Sequence, residues 1–251
     1  MVQLEGRKVG AVILAAGKGK RMKSDLAKVL HPLCGKPILA YSVDVARAVG
    51  AEKIAVIIGH QADAVRDSFR DQGLIFVEQH EQLGTGHAVL QAKNTFLNFN
   101  GTILILCGDV PLLQPSTVRS FIENHISGNA TITVLTTFLD DPCGYGRVIK
   151  GGSEGEVLRI IEEKDASPDE KKIREINTGI YCVESEFLFR AVEEVGNENV
   201  QKEYYLTDIV GIARAKGFKT GSFIDADYNE VMGINTLDDL EMASRHMSIC
   251  K

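Results

Sequence analysis

The chain has 251 residues, a formal net charge of −6, 44% hydrophobic and 25% charged residues. That is apolar surface enough to offset the entropy of ordering, so a largely disordered chain is excluded, and the length suits one large domain or two small ones. The acidic balance, with lysines and arginines spread along the chain, ranks nucleic-acid binding low.

Val9–Leu14 (VGAVIL) reads as a buried strand feeding the loop AAGKGKRM at 15–22. Residues 54–58 (IAVII) and 103–106 (ILIL) read as two more strands, ending in Gly59-His60 and Cys107-Gly108-Asp109. Helical spacing of apolar residues runs over 37–49 and 86–95. Continuous apolar strands separated by helices predict an α/β fold, a parallel sheet covered on both faces. From about residue 131 the pattern changes to strands at 131–136, 146–150, 157–161 and 176–183, one turn being the charged stretch 164–174. Helices at 186–195 and 207–216, a strand near 222–224 and a last helix at 236–246 complete the chain. No linker or repeat divides it, so one domain with a strand-rich second lobe is expected.

Five cysteines are scattered without CxxC or Cys/His spacing, which points to neither a disulfide framework nor a zinc site. His31, His60, His80 and His125 show no nucleophile or acid at a diagnostic spacing. The first residues lack a signal-peptide core, and no apolar run is long enough for a bilayer, so a cytoplasmic location without membrane or nucleic-acid partners is expected. Oligomeric state is left open.

The chemistry begins at LAAGKGKRM. Glycines let main-chain N–H groups approach phosphate oxygens, and Lys18, Lys20 and Arg21 supply positive charge. The spacing fits neither a Walker A loop nor the dinucleotide fingerprint, whose third glycine position is Met22 here. A plain tight turn accounts for the glycines equally well; the cations favour phosphate. Lys28 follows in a loop that can fold back over that turn, and GKP closes the segment at Pro37.

This combination resembles the family that joins a nucleoside triphosphate to a sugar 1-phosphate, most closely the uridylyltransferase half of bifunctional bacterial enzymes making UDP-N-acetylglucosamine. The resemblance covers roughly residues 7 to 245 and extends through QLGTGHA (82–88), LCGDVP (106–111), GYGR (144–147), IEEKD (161–165), EINTGIY (175–181), EYYLTD (203–208) and VMGINT (231–236). It implies a Rossmann-like, mostly parallel sheet of the nucleotide-diphospho-sugar transferase type. A nucleotide lobe at about 7–130, a smaller sugar-binding lobe at about 131–235 and a C-terminal helix at 236–251 would then form a single domain.

The resemblance also implies roles. Leu14, Ala15, Ala16, Gly17, Gly19, Arg21, Lys28, Gln79, Gly84 and Thr85 would hold the nucleotide, with Arg21 and Lys28 catalytic through charge neutralisation. Gln79 and Gly84 would meet the uracil edge, since a side-chain amide both donates and accepts and a glycine lets a main-chain N–H come close. Gly146, Glu162, Asn177 and Thr207 would grip the sugar. Asp109 and Asn235 would hold Mg²⁺, an ion that takes oxygen ligands and leaves positions for phosphate. Taken singly, Glu162 and Asn177 read equally as surface polar residues, Asp109 as a turn residue and Thr85 as a helix cap.

The expected partners are UTP, N-acetylglucosamine 1-phosphate and the product UDP-N-acetylglucosamine. Two alternatives stay open: a thymidylyl or glucose enzyme of the same family, and a non-catalytic nucleotide-sugar binder. Cys107 stands where the related enzymes usually have tyrosine; it is expected to be either a partly accessible, ligand-protected thiol beside Lys28 or a thiol buried by the apolar strand it ends. No hexapeptide period occurs, so no acetyltransferase activity is expected of these residues.

Overall fold

The computed structural model describes residues 6–151, 156–225 and 227–249. In chain order the strands are β1 (Val9–Leu14), β2 (Pro32–Leu33), β3 (Lys36–Pro37), β4 (Lys53–Ile58), β5 (Ile75–Glu78), β6 (Thr102–Cys107), β7 (Ile132–Phe138), β8 (Arg147–Gly151), β9 (Glu156–Ile161), β10 (Glu175–Glu184) and β11 (Thr220–Ile224). The helices are α1 (Ile38–Ala48), α2 (Ala62–Ser68), α3 (Thr85–Gln91), α4 (Pro115–Ser127), α5 (Ser185–Glu194), α6 (Asp208–Ala215), α7 (Tyr228–Val231) and α8 (Leu237–Ile249).

One sheet runs in the order β11-β7-β10-β6-β1-β4-β5, and β8 pairs with β10 and with β9. The pairs β6–β1, β1–β4, β4–β5 and β11–β7 are parallel; β10 runs antiparallel to β6, β7 and β8. The α/β class and the mostly parallel sheet expected from the sequence are therefore present, and β10 is the strand that reverses direction, pairing with β8 as well as β6 and β7.

The apolar strands follow from two-sided burial. Ala11 and Ile13 of β1 join a core with Val43 of α1, Val65 of α2 and Phe121 of α4. Val12, one residue out of phase, joins the opposite core with Val89 of α3, Phe187 of α5 and Ile209 of α6. Successive side chains point to opposite faces, so a strand covered on both faces must be apolar throughout. A third cluster lies at one edge: Met22, Leu33, Ile38, Leu112, Met232 and Ile234. Each such side chain contributes about 1.5–3 kcal/mol of burial, and together they fasten the segment before Lys28 to the segment before Asn235.

Helix α4, helix α2, strand β5 and the β2–β3 hairpin are not among the sequence expectations. The α4 signal is present in hindsight: Val118, Phe121, Ile122 and His125 are its buried residues, at spacings of three and four, and Pro115 opens it. The helix expected at 86–95 ends at Gln91 and continues as a tighter 3₁₀ turn over Ala92–Phe96.

Candidate active site

Register places the site. Leu14 pairs with Ile57 on one side and with Cys107 on the other, so β1, β4 and β6 end level. The loops after them open on the same edge, the carboxyl end of a parallel sheet where such folds bind ligands. A cavity of about 310 Å³ lies there, lined among others by Leu14, Ala15, Ala16, Gly17, Lys28, Gln79, Gly84, Thr85, Cys107 and Asp109.

Gly19 lies beside this cavity rather than in its lining. Its φ is +57°, and a Cβ there would stand 2.6 Å from the Lys28 Cβ, so the turn lets Lys28 fold back on it. Arg21 is exposed on the 3₁₀ turn Lys20–Met22 and makes no hydrogen bond or ion pair to any described residue. The expected pair of catalytic cations is thus split: Lys28 at the cavity, Arg21 outside its lining.

The Lys28 ammonium donates to Asp109 Oδ2 and, at 3.2 Å, to Asn235 Oδ1. Residues far apart in sequence are joined by packing, since Ile234 N donates to Asp109 O at 2.8 Å within the third apolar cluster. Asn235 is held at the start of α8 by a reciprocal cap. Asp239 Oδ2 accepts from Asn235 N and Thr236 N, both at 2.9 Å, and Asp239 N donates to Thr236 Oγ1 at 3.1 Å. Threonine followed three residues later by an acid was the sequence signal for this anchor. The carboxylate and amide oxygens already converge on one cation, the ammonium, and this hard-oxygen pair fits a Mg²⁺ ion whose other positions go to water and phosphate. Among the described residues no group of three or more His, Cys, Asp or Glu is arranged for a metal.

At the other end of the cavity Gln79 is 3% exposed. Its Nε2 donates to Gly84 O at 3.0 Å and lies 3.1 Å from His87 Nδ1. The donors of the amide are therefore turned to the protein, a geometry the sequence did not anticipate. Gly84 has φ +117°, and a Cβ there would meet Tyr204 O at 2.6 Å. The reason is a strand-like seam between the 82–88 loop and the 203–208 segment: Tyr204 N donates to Leu83 O, and Gly86 N to Tyr204 O, each at 2.8 Å. Thr85 does not act as a helix cap; its hydroxyl accepts from Leu206 N at 3.0 Å.

The sugar-side candidates also come together. Asn177 N donates to Gly146 O at 2.9 Å, Thr207 Oγ1 donates to Glu162 Oε1 at 3.1 Å, and an added Cβ on Gly146 would lie 3.5 Å from Glu162 Oε2. Asn177 stands where the β10–β7 register slips before Tyr181, and its Oδ1 accepts from Gly179 N at 3.0 Å. Burial pushes the Glu162 carboxyl up, opposed by the Thr207 bond and reinforced by Asp208, Asp165 and Glu203. A larger cavity of about 600 Å³ lies along Glu162, Asp165, Tyr205, Thr207 and Asp208. It holds none of the candidate phosphate ligands.

Two tyrosines missed in the sequence meet across 83 positions of the chain. Tyr145 Oη and Tyr228 Oη are 3.1 Å apart, joining the loop before Gly146 to α7, which precedes Asn235. Cys107 corrects an expectation. Its Sγ donates to Gly179 O at 3.5 Å, and burial, then Asp109, push the thiol up to about 12 in spite of Lys28. It lines the cavity as a neutral thiol, not as a thiolate.

Residues 11–150 match the MobA-like NTP transferase domain, and the chain belongs to that family: it is a nucleotidyltransferase domain. Among curated proteins it is 53% identical over 239 residues to the bifunctional protein GlmU of Geotalea daltonii, covering 95% of this chain and 52% of that protein. It is 48% identical over 237 residues to GlmU of Shouchella clausii, covering 94% and 52%. The chain thus spans about half the length of these relatives. Among solved structures, a UDP-glucose pyrophosphorylase complexed with UDP-glucose shares the fold, with a TM-score of 0.77 at 18% identity over 98% of this chain and 100% of that one.

Proposed function

We propose that the chain transfers a uridylyl group from UTP to N-acetylglucosamine 1-phosphate, with Mg²⁺, giving UDP-N-acetylglucosamine and pyrophosphate. The observation that carries this reading is the Lys28 ammonium between Asp109 and Asn235. It marks one cation position at the cavity that Gln79, Gly84 and Thr85 line. The choice of base and sugar rests on the motif resemblance together with the GlmU relatives.

A sugar-phosphate oxygen attacks the α-phosphorus in line; the new P–O bond forms as the bond to the β-phosphate oxygen breaks, and pyrophosphate leaves with that electron pair. The nucleophile is already anionic, so no general base is required, and catalysis is positioning with charge neutralisation. In this reading the nucleotide lobe, about 7–130, and the sugar lobe, about 131–235, divide the two substrates. Leu14–Gly17 and Gly19 shape the phosphate turn, and Gln79, Gly84 and Thr85 the base end. Gly146, Glu162, Asn177 and Thr207 hold the sugar. Lys28 neutralises phosphate charge directly, and Arg21 is assigned the same task from outside the cavity lining. Asp109 and Asn235 would hold Mg²⁺, which when bound stabilises negative charge on the phosphates of both substrates.

Pyrophosphate release with UTP and N-acetylglucosamine 1-phosphate tests the reading. Release should need a divalent cation and both substrates; faster turnover with dTTP and glucose 1-phosphate would overturn it.

A further inference from the structure

Gln61 lies outside every motif read above, on the turn between β4 and α2. Its φ is 53°, the left-handed region that a non-glycine residue holds at a cost of about 1 kcal/mol or more. From that turn its side chain crosses to a loop far earlier in the chain. Oε1 accepts from Ala27 N at 2.8 Å, and Nε2 donates to Asp25 O. Both ends of one amide are thus spent on main-chain groups flanking Leu26. Ala27 is 2% exposed, so its N–H has little access to water as a substitute partner. The turn is itself tied to the cavity, because His60 N donates to Ala16 O at 3.2 Å.

The residue after Ala27 is Lys28. A lysine side chain has four rotatable bonds and a point charge, so its ion pair with Asp109 does not by itself fix where the ammonium stands. Its main chain has to be fixed as well. Gly19 packs against the Lys28 Cβ, and the Gln61 amide holds the residues just before it.

We infer that Gln61 is a positioning residue for Lys28. It freezes the main chain at 25–27 before substrate arrives, so that only the Lys28 side chain has to move when the ammonium turns from Asp109 and Asn235 to the phosphates. The kinetic part rests on the transfer reaction proposed above; the structural part does not.

A double-mutant cycle with a structural readout tests this. Gln61→Gly removes the clamp while keeping the left-handed turn free of strain, and Gln61→Glu keeps the acceptor for Ala27 N–H but not the donor to Asp25 O. With UTP and N-acetylglucosamine 1-phosphate, Gln61→Gly should lower kcat/KM by about 10- to 100-fold, and Gln61→Glu by less. In a Lys28→Ala background the Gln61→Gly change should cost less than about twofold, because the group it positions is gone. An equal loss in both backgrounds overturns the inference. Independently of any substrate, amide exchange at Ala27 should quicken in free Gln61→Gly while exchange in β4 holds; unchanged Ala27 exchange also overturns it. If the wild-type chain transfers nothing from UTP, the function reading fails while the exchange comparison still decides the clamp.

Discussion

The two ends of the site are built differently. The proposed nucleotide end is mostly main chain and small side chains, Leu14–Gly17 after β1 and Gly84 before α3, with one cation set against it. The proposed sugar end is a cluster of polar side chains, Glu162, Asn177 and Thr207, drawn from the residue after β9, an irregular stretch of β10 and the residue before α6. Main-chain sites hold their chemistry whatever the pH, whereas the second kind depends on a half-buried carboxylate whose ionisation the fold opposes. Substitutions should therefore separate the ends, one mainly through rate and base choice, the other through sugar affinity and pH.

The largest effect should come where the ends meet. Asp109→Ala removes the carboxylate that faces the proposed metal position and frees the Lys28 ammonium. Turnover should fall by about 10²-fold or more, near 3 kcal/mol of transition-state stabilisation, with little change in Tm. Normal turnover would remove Asp109 from the site.

Next is the base end. Gln79→Glu replaces the amide donor facing Gly84 O with a carboxylate oxygen, which repels that carbonyl. The UTP-to-CTP ratio of kcat/KM should drop by about tenfold; an unchanged ratio would show that Gln79 does not shape base choice.

A smaller effect separates Lys28 from the metal. In the free protein its ammonium sits between the two oxygens proposed to hold Mg²⁺. Lys28→Ala should thus bind Mn²⁺ or Mg²⁺ several-fold tighter without nucleotide, roughly 1 kcal/mol, as read by titration calorimetry. Weaker binding would mean the lysine does not compete for that position.

At the sugar end, Glu162 holds its proton to higher pH than the ordinary 4.5 of the unfolded chain. The folded state then binds more protons than the unfolded state just above pH 4.5, and stability falls as pH rises through that window. Glu162→Gln lacks this penalty. Its Tm relative to wild type should rise between pH 4.5 and 7, while its KM for the sugar phosphate increases; a pH-independent Tm difference would place the carboxylate in water.

The smallest effect concerns Cys107, a thiol pushed up to about 12. At pH 8 it should alkylate far more slowly than exposed Cys34, with or without nucleotide sugar. Rapid labelling in peptide maps would contradict its neutral, half-buried setting.

The fold and much of the candidate site were legible because their signals are local. VGAVIL signals two-sided burial, with five consecutive buried residues before Leu14, and the strand ends that follow carry the glycines and Asp109. What stayed hidden is set by packing between distant segments. Nothing near Gln61 in sequence indicates that its amide reaches Asp25 and Ala27, and nothing in GYGR indicates that Tyr145 meets Tyr228. Asp109 and Asn235 were paired only through resemblance; the bond from Ile234 N to Asp109 O and the apolar cluster around it supply the physical cause. Within the 203–208 segment only Thr207 carries a sequence expectation. In the structure the segment is the seam that forces Gly84 to be glycine.

In the proposed reading one cation-centred site joins a uracil end to an N-acetylhexosamine end. Its most direct test is a matrix of initial rates of pyrophosphate release, with UTP, CTP, dTTP and GTP against N-acetylglucosamine, glucosamine and glucose 1-phosphates in Mg²⁺. UTP with N-acetylglucosamine 1-phosphate should exceed every other pair by at least about tenfold in kcat/KM, and chelating the metal should abolish release. A maximum at any other pair, or full turnover in chelator, would contradict that reading.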